Sequence, residues 1–234
     1  MTNKIYTQEN GEYLKNNPNW HIEDSPWKAK QIIKIIKKNN ISPKKIAEIG
    51  CGAGEILNQL YLNLPNDVNF TGYDISIDAN KLSQEREKER LTFKNENLID
   101  KNEFFDLLLM IDVFEHVDDY ISFLKSARNN SKYTVFHIPL DISAQSILRN
   151  KLILERNNVG HLHYFTKDTA IATLKDCGYE VIDSFYTKWS FELPRKTLKS
   201  KLAVLPRKLL FKINNDFAAN LLGGFSLMVI TKNS

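Results

Sequence analysis

The stretch "IAEIGCGAGEIL", residues 46 to 57, constrains the fold of this chain more than any other. Three of the nine glycines, Gly50, Gly52 and Gly54, fall within five residues, after an apolar run. Beyond them Ile56, Leu57, Leu60 and Leu64 recur at helical spacing. A strand, a glycine turn and a helix therefore follow one another with no linker. Glycine lets the main chain turn tightly and lets a ligand approach without meeting a Cβ. The start of the helix is expected to present free backbone N–H groups and the positive end of a dipole. Asp74 in "GYDIS" closes the next strand, about 20 residues on, where a carboxylate can accept hydrogen bonds from a ribose. The loop is expected to hold a nucleoside-bearing cofactor.

The alternation continues along the chain. "NFTGYD" (69–74), "LTFK" (91–94), "FFDLLLMI" (104–111), "YTVFHI" (133–138) and "EVIDSFY" read as strands, with amphipathic or solvated helical stretches between them. Such alternation means a parallel sheet with helices on both faces. Ahead of it, "SPWKAKQIIKIIKKNN" reads as a helix with Ser25 as N-cap, Pro26 at the first helical position and Ile32, Ile33 and Ile36 on one face. The pattern breaks over 141–160 and again over 188–222, a basic amphipathic segment divided by Pro194 and Pro206. The run "FSLMVIT" closes the chain as a strand. The whole reads as one domain over 1–234. It comprises an N-terminal cap segment and helix (1–44), a cofactor-binding core (45–187), a basic helical insertion (188–222) and a final strand (223–234).

Composition excludes several classes. At 42% hydrophobic and 26% charged over 234 residues, the chain can bury a sizeable core. Its net charge of +4 accompanies a general richness in Lys, Asn and Ile, and is read as composition bias, so no nucleic-acid partner is favoured. The two cysteines, Cys51 and Cys177, lie far apart in unlike contexts, which argues against a disulfide framework or zinc site and for a reducing compartment. The first 15 residues lack the apolar core of a signal peptide, and no apolar run approaches the roughly 20 residues that span a bilayer. A cytoplasmic location is expected.

Spacing narrows the cofactor. The loop is G-x-G-x-G, not the G-x-G-x-x-G of dinucleotide folds, and no Gly-Lys-Ser/Thr follows as a phosphate-cradling loop requires. With Glu48 two residues before the first glycine, "AEIGCGAG" resembles the first motif of the class I S-adenosylmethionine-dependent methyltransferases. "FFDLLLMIDVFEHVDD" resembles that family's fourth-strand motif in its Asp-Val-x-Glu-His form, typical of the small-molecule subgroup with the ubiquinone- and menaquinone-biosynthesis enzymes. "GHLHYFTKDTAIATLKDCGYEV" resembles the subgroup's segment through the last helix. The resemblance implies an α/β, Rossmann-like, doubly wound seven-stranded sheet, mostly parallel, with its last strand antiparallel and supplied by "FSLMVIT". A turn that commonly contains Gly in the family reads "RNNSKY" here, with Asn129 or Asn130 expected in the left-handed conformation.

The resemblance also implies roles. S-adenosyl-L-methionine would be the cofactor, with Glu48 on its amino group, and Gly50, Cys51, Gly52 and Gly54 lining it. Asp74 would take the ribose hydroxyls and Ile75 the adenine face. Asn97 and Leu98 stand where the family often has Asp-Leu near the adenine amino group. Met110 and Ile111 would close over the cofactor. Trp20, Trp27 and Tyr13 are expected either to cap the sulfonium or to pack on the sheet edge. A base is needed only where the acceptor must lose a proton; His116 and His161 are the candidates chosen, with His163 and Asp141 behind them. His161 and His163 alternate along an extended segment, so at most one faces the site. Asp112, Glu115 and His116 could in principle gather a divalent cation, but a satisfied turn is the commoner outcome and no metal is expected.

The expected acceptor is a small molecule, probed first as a hydroxyl oxygen on a sugar or on an anionic or lipid-linked intermediate. The basic segment, with Arg195, Lys196, Lys199, Lys201, Arg207, Lys208 and Lys212 and with leucines at 198, 202, 205, 209 and 210, reads as a substrate lid, an anion-binding wall, a peripheral membrane contact or a solvated cap. The alternatives are an RNA or protein methyltransferase, for which the Asn/Asp-Pro-Pro-Tyr type motif is absent, and a non-catalytic cofactor-binding partner subunit. Oligomeric state and the identity of the acceptor stay open at this level.

Overall fold

The computed structural model describes Trp20 and residues 22–192 and 204–233. Tyr13, Pro194, Arg195, Lys196, Leu198, Lys199, Lys201 and Leu202 lie outside the described residues. The elements run α1 (Ser25–Lys38), β1 (Lys45–Ile49), α2 (Glu55–Asn63), β2 (Asn69–Tyr73), α3 (Ile77–Gln84), β3 (Leu91–Lys94), β4 (Phe105–Ile111), α4 (Tyr120–Ala127), β5 (Ser131–Pro139), α5 (Ala144–Leu148), α6 (Lys151–Val159), α7 (Lys167–Asp176), β6 (Tyr179–Thr187), α8 (Trp189–Glu192), α9 (Val204–Ile213), α10 (Asn215–Leu222) and β7 (Ser226–Asn233).

The strands form one seven-stranded sheet in the order β3-β2-β1-β4-β5-β7-β6. The β3-to-β5 half is parallel throughout, and β7 runs antiparallel between β5 and β6. This is the α/β, Rossmann-like arrangement expected from the sequence. Strand order reverses between β1 and β4, and ligands of open α/β sheets bind outside the carboxyl ends of strands at such a switch point.

Period-two alternation explains why the sheet is covered on both faces. In β4, Leu108 and Met110 join one buried cluster with Phe114, Phe136 and Phe225, while Leu107, Leu109 and Ile111 join the other with Ile32, Leu57 and Leu60. Burial of the second cluster fixes α1 and α2 on their side of the sheet.

Local details depart from expectation. The N-cap position of α1 falls on Asp24, not Ser25, because a 3-10 turn over Ile22–Asp24 runs straight into the helix; the Asp24 side chain makes no capping hydrogen bond. Its core residues are Ile32, Ile35 and Ile36; Ile33 lies at the edge of the packed face. Neither Asn129 nor Asn130 is left-handed: Arg128–Asn130 forms a 3-10 turn, and the Asn130 amide donates to the carbonyls of Lys101 and Glu103. The 141–160 stretch becomes the two helices α5 and α6, and α6 buries no residue of its own.

Candidate active site

The glycine loop takes its shape from three left-handed residues. Gly50, Gly52 and Gly54 have φ of +69°, +55° and +77°, a region that L side chains avoid. They serve different ends. A Cβ on Gly54 would sit 2.5 Å from the Phe93 ring, and one on Gly50 would sit 2.9 Å from Val113 Cγ2, so both glycines let the loop pack closely on its own protein. A Cβ on Gly52 would meet only the Trp20 ring, at 3.6 Å. Cys51 is buried beside Gly72, whose missing side chain leaves room for the sulfur. Burial, with the Asp74 and Glu48 charges nearby, pushes the Cys51 thiol well up, which keeps it protonated and unreactive.

Four of the loop's own amides are engaged within the protein. Gly50 and Cys51 both donate to the Tyr73 carbonyl, Gly54 donates to the Cys51 carbonyl, and Gly52 donates to Asp74 Oδ2 at 2.8 Å. The other Asp74 oxygen accepts from the Ser76 amide at 2.8 Å. Asp74 is thus clamped between the loop and the start of α3, nearly buried, and desolvation raises its pKa against those two hydrogen bonds.

A cavity of about 580 Å³ opens at the carboxyl ends of β1, β2, β4 and β5. Of the expected residues, Glu48, Gly50, Cys51, Gly52, Asp74, Ile75, Ile111, His116 and His161 line it. Trp20 and Trp27 line it too. Gly54, Asn97, Leu98 and Met110 are not among the lining residues. Gly54 is taken up by Phe93, as above. Leu98 and Met110 are fully buried in the hydrophobic cluster on the opposite face, where period two sends Met110 once Ile111 faces the cavity side. Asn97 caps its own 3-10 turn, accepting from the Ile99 amide and donating to Asp100.

Glu48 is 1% exposed, and its Oε2 has no hydrogen-bond partner. Desolvation pushes its pKa well up; Lys28 opposes the shift, while Asp74 and Asp112 add to it. An acceptor orphaned inside the protein costs stability unless something supplies a donor. This carboxylate on the cavity wall fits a cationic ligand group.

A polar chain crosses the cavity floor. Thr187 Oγ1 meets His137 Nε2 at 2.9 Å, and His137 Nδ1 meets Asp112 Oδ1 at 2.6 Å. Asp112 Oδ2 lies 2.9 Å from Lys28 Nζ, which also pairs with Asp24 at 3.1 Å. His137 and Lys28 hold Asp112 far below the usual carboxylate range in spite of burial, and Lys28 is raised in return. Sequence reasoning missed Lys28, His137 and Thr187. Lys28 is one of several lysines in a Lys-rich helix, and His137 sits inside an apolar strand.

The second polar group surrounds His161. Its Nδ1 lies 2.6 Å from Asp141 Oδ2, and its ring packs edge-on against His116 with centroids 4.8 Å apart. Burial pulls the His161 pKa down, but the hydrogen bond to Asp141 and the Glu115 charge outweigh it, and the net shift is upward. His116 Nδ1 meets the Gly160 carbonyl at 3.2 Å, and burial beside His161 lowers its pKa to about 4. His163 faces elsewhere, its Nε2 on the Val117 carbonyl and its ring against Tyr120. Glu115 is 1% exposed, neither carboxylate oxygen has a hydrogen-bond partner, and burial followed by the Asp112 charge raises its pKa to about 8. Ligand atoms of Glu115, His116 and His161 lie within 4.8 Å of one another, a set among the described residues that could hold a cation. Asp112, grouped with them from sequence, is drawn away to Lys28 and His137.

Comparison with known proteins agrees with the fold. The family model described as a methyltransferase domain matches residues 21–184, so the chain belongs to that family. Its sheet is that of the class I S-adenosylmethionine-dependent methyltransferases. No curated protein shows significant sequence similarity to it. Among solved structures, magnesium protoporphyrin IX methyltransferase from Synechocystis, determined with bound S-adenosylhomocysteine, is 13% identical with a TM-score of 0.61, over 99% of this chain and 92% of that one. A Haloferax volcanii putative methyltransferase in complex with a methyltransferase activator is 10% identical with a TM-score of 0.66, over 95% and 97%. The N-methyltransferase NodS from Bradyrhizobium japonicum, with S-adenosylhomocysteine, is 13% identical with a TM-score of 0.58, over 98% and 95%.

Proposed function

We propose that this protein transfers a methyl group from S-adenosyl-L-methionine, bound against the glycine loop, to a hydroxyl oxygen of a small-molecule acceptor, a sugar or a lipid-linked intermediate. The observation that carries the reading is the pairing of an occupied loop with the unpartnered Glu48 Oε2 on the cavity wall. Four loop amides are already used within the protein, which leaves little to cradle a pyrophosphate. Glu48 Oε2, and the lone pairs Asp74 keeps beyond its two hydrogen bonds, instead offer acceptors at the cavity wall, suited to an ammonium and to ribose hydroxyls. Ile75, 40% exposed at the cavity, offers an apolar face to the adenine.

When bound, the cofactor supplies an electrophilic methyl on a sulfonium with a good leaving group, so positioning provides much of the rate. Trp20 and Trp27 bring aromatic rings to the same cavity, where a π face stabilises positive charge. His161 accepts the acceptor's hydroxyl proton. Asp141 on Nδ1 fixes the tautomer that leaves Nε2 as the acceptor of that proton, and stabilises the imidazolium formed. His116, held neutral, braces the ring edge-on.

Calorimetric titration with S-adenosylhomocysteine, with NAD as control ligand, tests the cofactor reading. Micromolar binding of the first and none of the second is expected. A folded protein that binds neither would sink it. Single-turnover methyl transfer to sugar and lipid-linked alcohols then tests the acceptor.

A further inference from the structure

Much of the surface apolarity of this protein is gathered in one place. Of the fourteen large apolar side chains exposed among the described residues, nine lie on α5, α6, α9 and α10. These helices are contiguous: α6 and α10 pack on α5, and α9 packs on α10. Arg207 ties the group together, donating to Gln145 on α5 and to the Leu222 carbonyl on α10. On α9, Leu205, Leu209 and Ile213 recur every fourth residue and stand 75%, 63% and 75% exposed, with Phe217 following on α10. Leu148 on α5 is 84% exposed. Isolated exposed leucines are ordinary; a contiguous set on one helical group marks an interaction surface.

Charge says what covers it. Residues 144–159 and 204–222 hold six cations (Arg149, Lys151, Arg156, Arg207, Lys208 and Lys212) against two acids, Glu155 and Asp216. That excess of four equals the net charge of the entire chain, and residues 193–203, next to α9 in sequence, add four more cations and no acid. Lys208 and Lys212 are exposed beside the Leu205–Leu209–Ile213 stripe. An apolar stripe bordered by cations is the pattern of an element lying in the headgroup layer of an anionic bilayer. A second copy of the chain would set two like-charged faces together. No described helix is long and apolar enough to cross a membrane.

We infer that the outer face of α5, α6, α9 and α10 docks on the surface of an anionic lipid bilayer and brings the cavity to the headgroup layer, so that the acceptor is presented by a membrane-anchored molecule. Helix α6 links the two sites: Glu155 and Val159 line the cavity, while Ile153 and Leu154 on the same helix stand exposed. The docking stands on the surface alone; the choice of acceptor rests on the methyl-transfer reading above.

The test is sedimentation of the full chain with vesicles of equal phosphatidylglycerol and phosphatidylcholine, against phosphatidylcholine alone, with cofactor affinity measured in parallel. Binding to the anionic vesicles, weakened by added salt, is expected. The pair Leu205→Glu with Leu209→Glu, and separately the pair Lys208→Glu with Lys212→Glu, should each lower the partition coefficient about tenfold or more. Both pairs should keep wild-type affinity for S-adenosylhomocysteine, which shows that the variants are folded. Absence of vesicle binding by the wild type, or equal binding by the variants, overturns the inference. So does concentration-dependent self-association abolished by the leucine pair, which would assign the face to a second copy. Failure of the cofactor reading appears in the titration and not in the sedimentation, so the two failures are distinguishable.

Discussion

Asp112 and His137 meet twice across the ends of β4 and β5: Oδ1 to Nδ1 at 2.6 Å, and the Asp112 amide to the His137 carbonyl at 3.0 Å. The second contact holds Asp112 in a left-handed conformation, φ 56°, that a non-glycine residue seldom adopts. The turned backbone frees the other carboxylate oxygen to meet Lys28 on α1, and so joins the N-terminal helix to the switch point of the sheet. One bent residue thereby positions the cavity floor.

Removing one member of that joint should leave a poorly compensated charge. Asp112→Asn keeps a residue tolerant of the left-handed region while deleting the charge, and Lys28→Met deletes the cation. Each is expected to cost about 2–4 kcal/mol, below the fully buried range because both side chains retain some solvent contact. The double variant should lose less than the sum, since the partners fail together. Urea denaturation of all four proteins measures the cycle, and simple additivity would show that the two groups act independently.

The three loop glycines should rank by what a methyl would meet. Gly54→Ala drives a carbon into the Phe93 ring and is expected to be the most damaging; Gly50→Ala meets Val113, which can turn. Gly52→Ala finds ordinary contact and should cost only the left-handed strain, about 1–2 kcal/mol. Thermal unfolding gives the order. A Gly52→Ala protein as unstable as Gly54→Ala would refute it.

This ranking also shows how much of the site was legible beforehand. The loop and Asp74 follow from glycine spacing, a local property of the chain, while the seven-stranded sheet with its antiparallel last strand follows from the family resemblance. Lys28, His137 and Thr187 come from α1, β5 and β6, and nothing local in sequence brings them together. Met110 and Ile111 cannot both line the cavity, because neighbours in a strand face opposite ways. The 188–222 segment is amphipathic and basic in sequence, but its junction with α5 is a tertiary fact, visible only once β7 has folded back beside β5.

Asp74→Ala should weaken S-adenosylhomocysteine binding by about tenfold to a hundredfold, the value of one or two hydrogen bonds to a charged acceptor. It should also loosen the loop, because Gly52 and Ser76 both lose their acceptor. Asp74→Glu serves as the control that retains charge at altered reach. Calorimetry checks both, and undiminished binding in Asp74→Ala would remove this residue from the cofactor site.

Methyl transfer to a hydroxyl should rise with pH. His161 works as a base only when unprotonated, and Asp141 with Glu115 raises its pKa despite burial. The profile should therefore climb through a midpoint above the ordinary histidine value of about 6.5. Asp141→Asn should move that midpoint down while lowering the plateau, since the ring loses both its charge partner and its tautomer control. A flat profile in both proteins would show that no base of this kind is used.

Glu115 gives a stability test of the opposite sign. Its folded-state pKa is raised to about 8 by burial, whereas an unfolded glutamate ionises near about 4.3. Between those values the folded state binds more protons than the unfolded state, so the contribution of this group to stability is full below the lower value and is lost as pH rises to the upper one. Glu115→Gln removes the ionisation and keeps the shape. The variant should match the wild type near pH 4.5, gain on it steadily, and level off above pH 8 with an advantage of a few kcal/mol. Its two oxygen positions have no hydrogen-bond partner to lose, so the neutral amide carries little added cost beyond its own donors. Urea midpoints at pH 5, 7 and 8.5 measure the trend. An advantage that stays constant from pH 5 to 8.5 would mean that Glu115 is already ionised in the folded protein and held so by a positive charge such as His161.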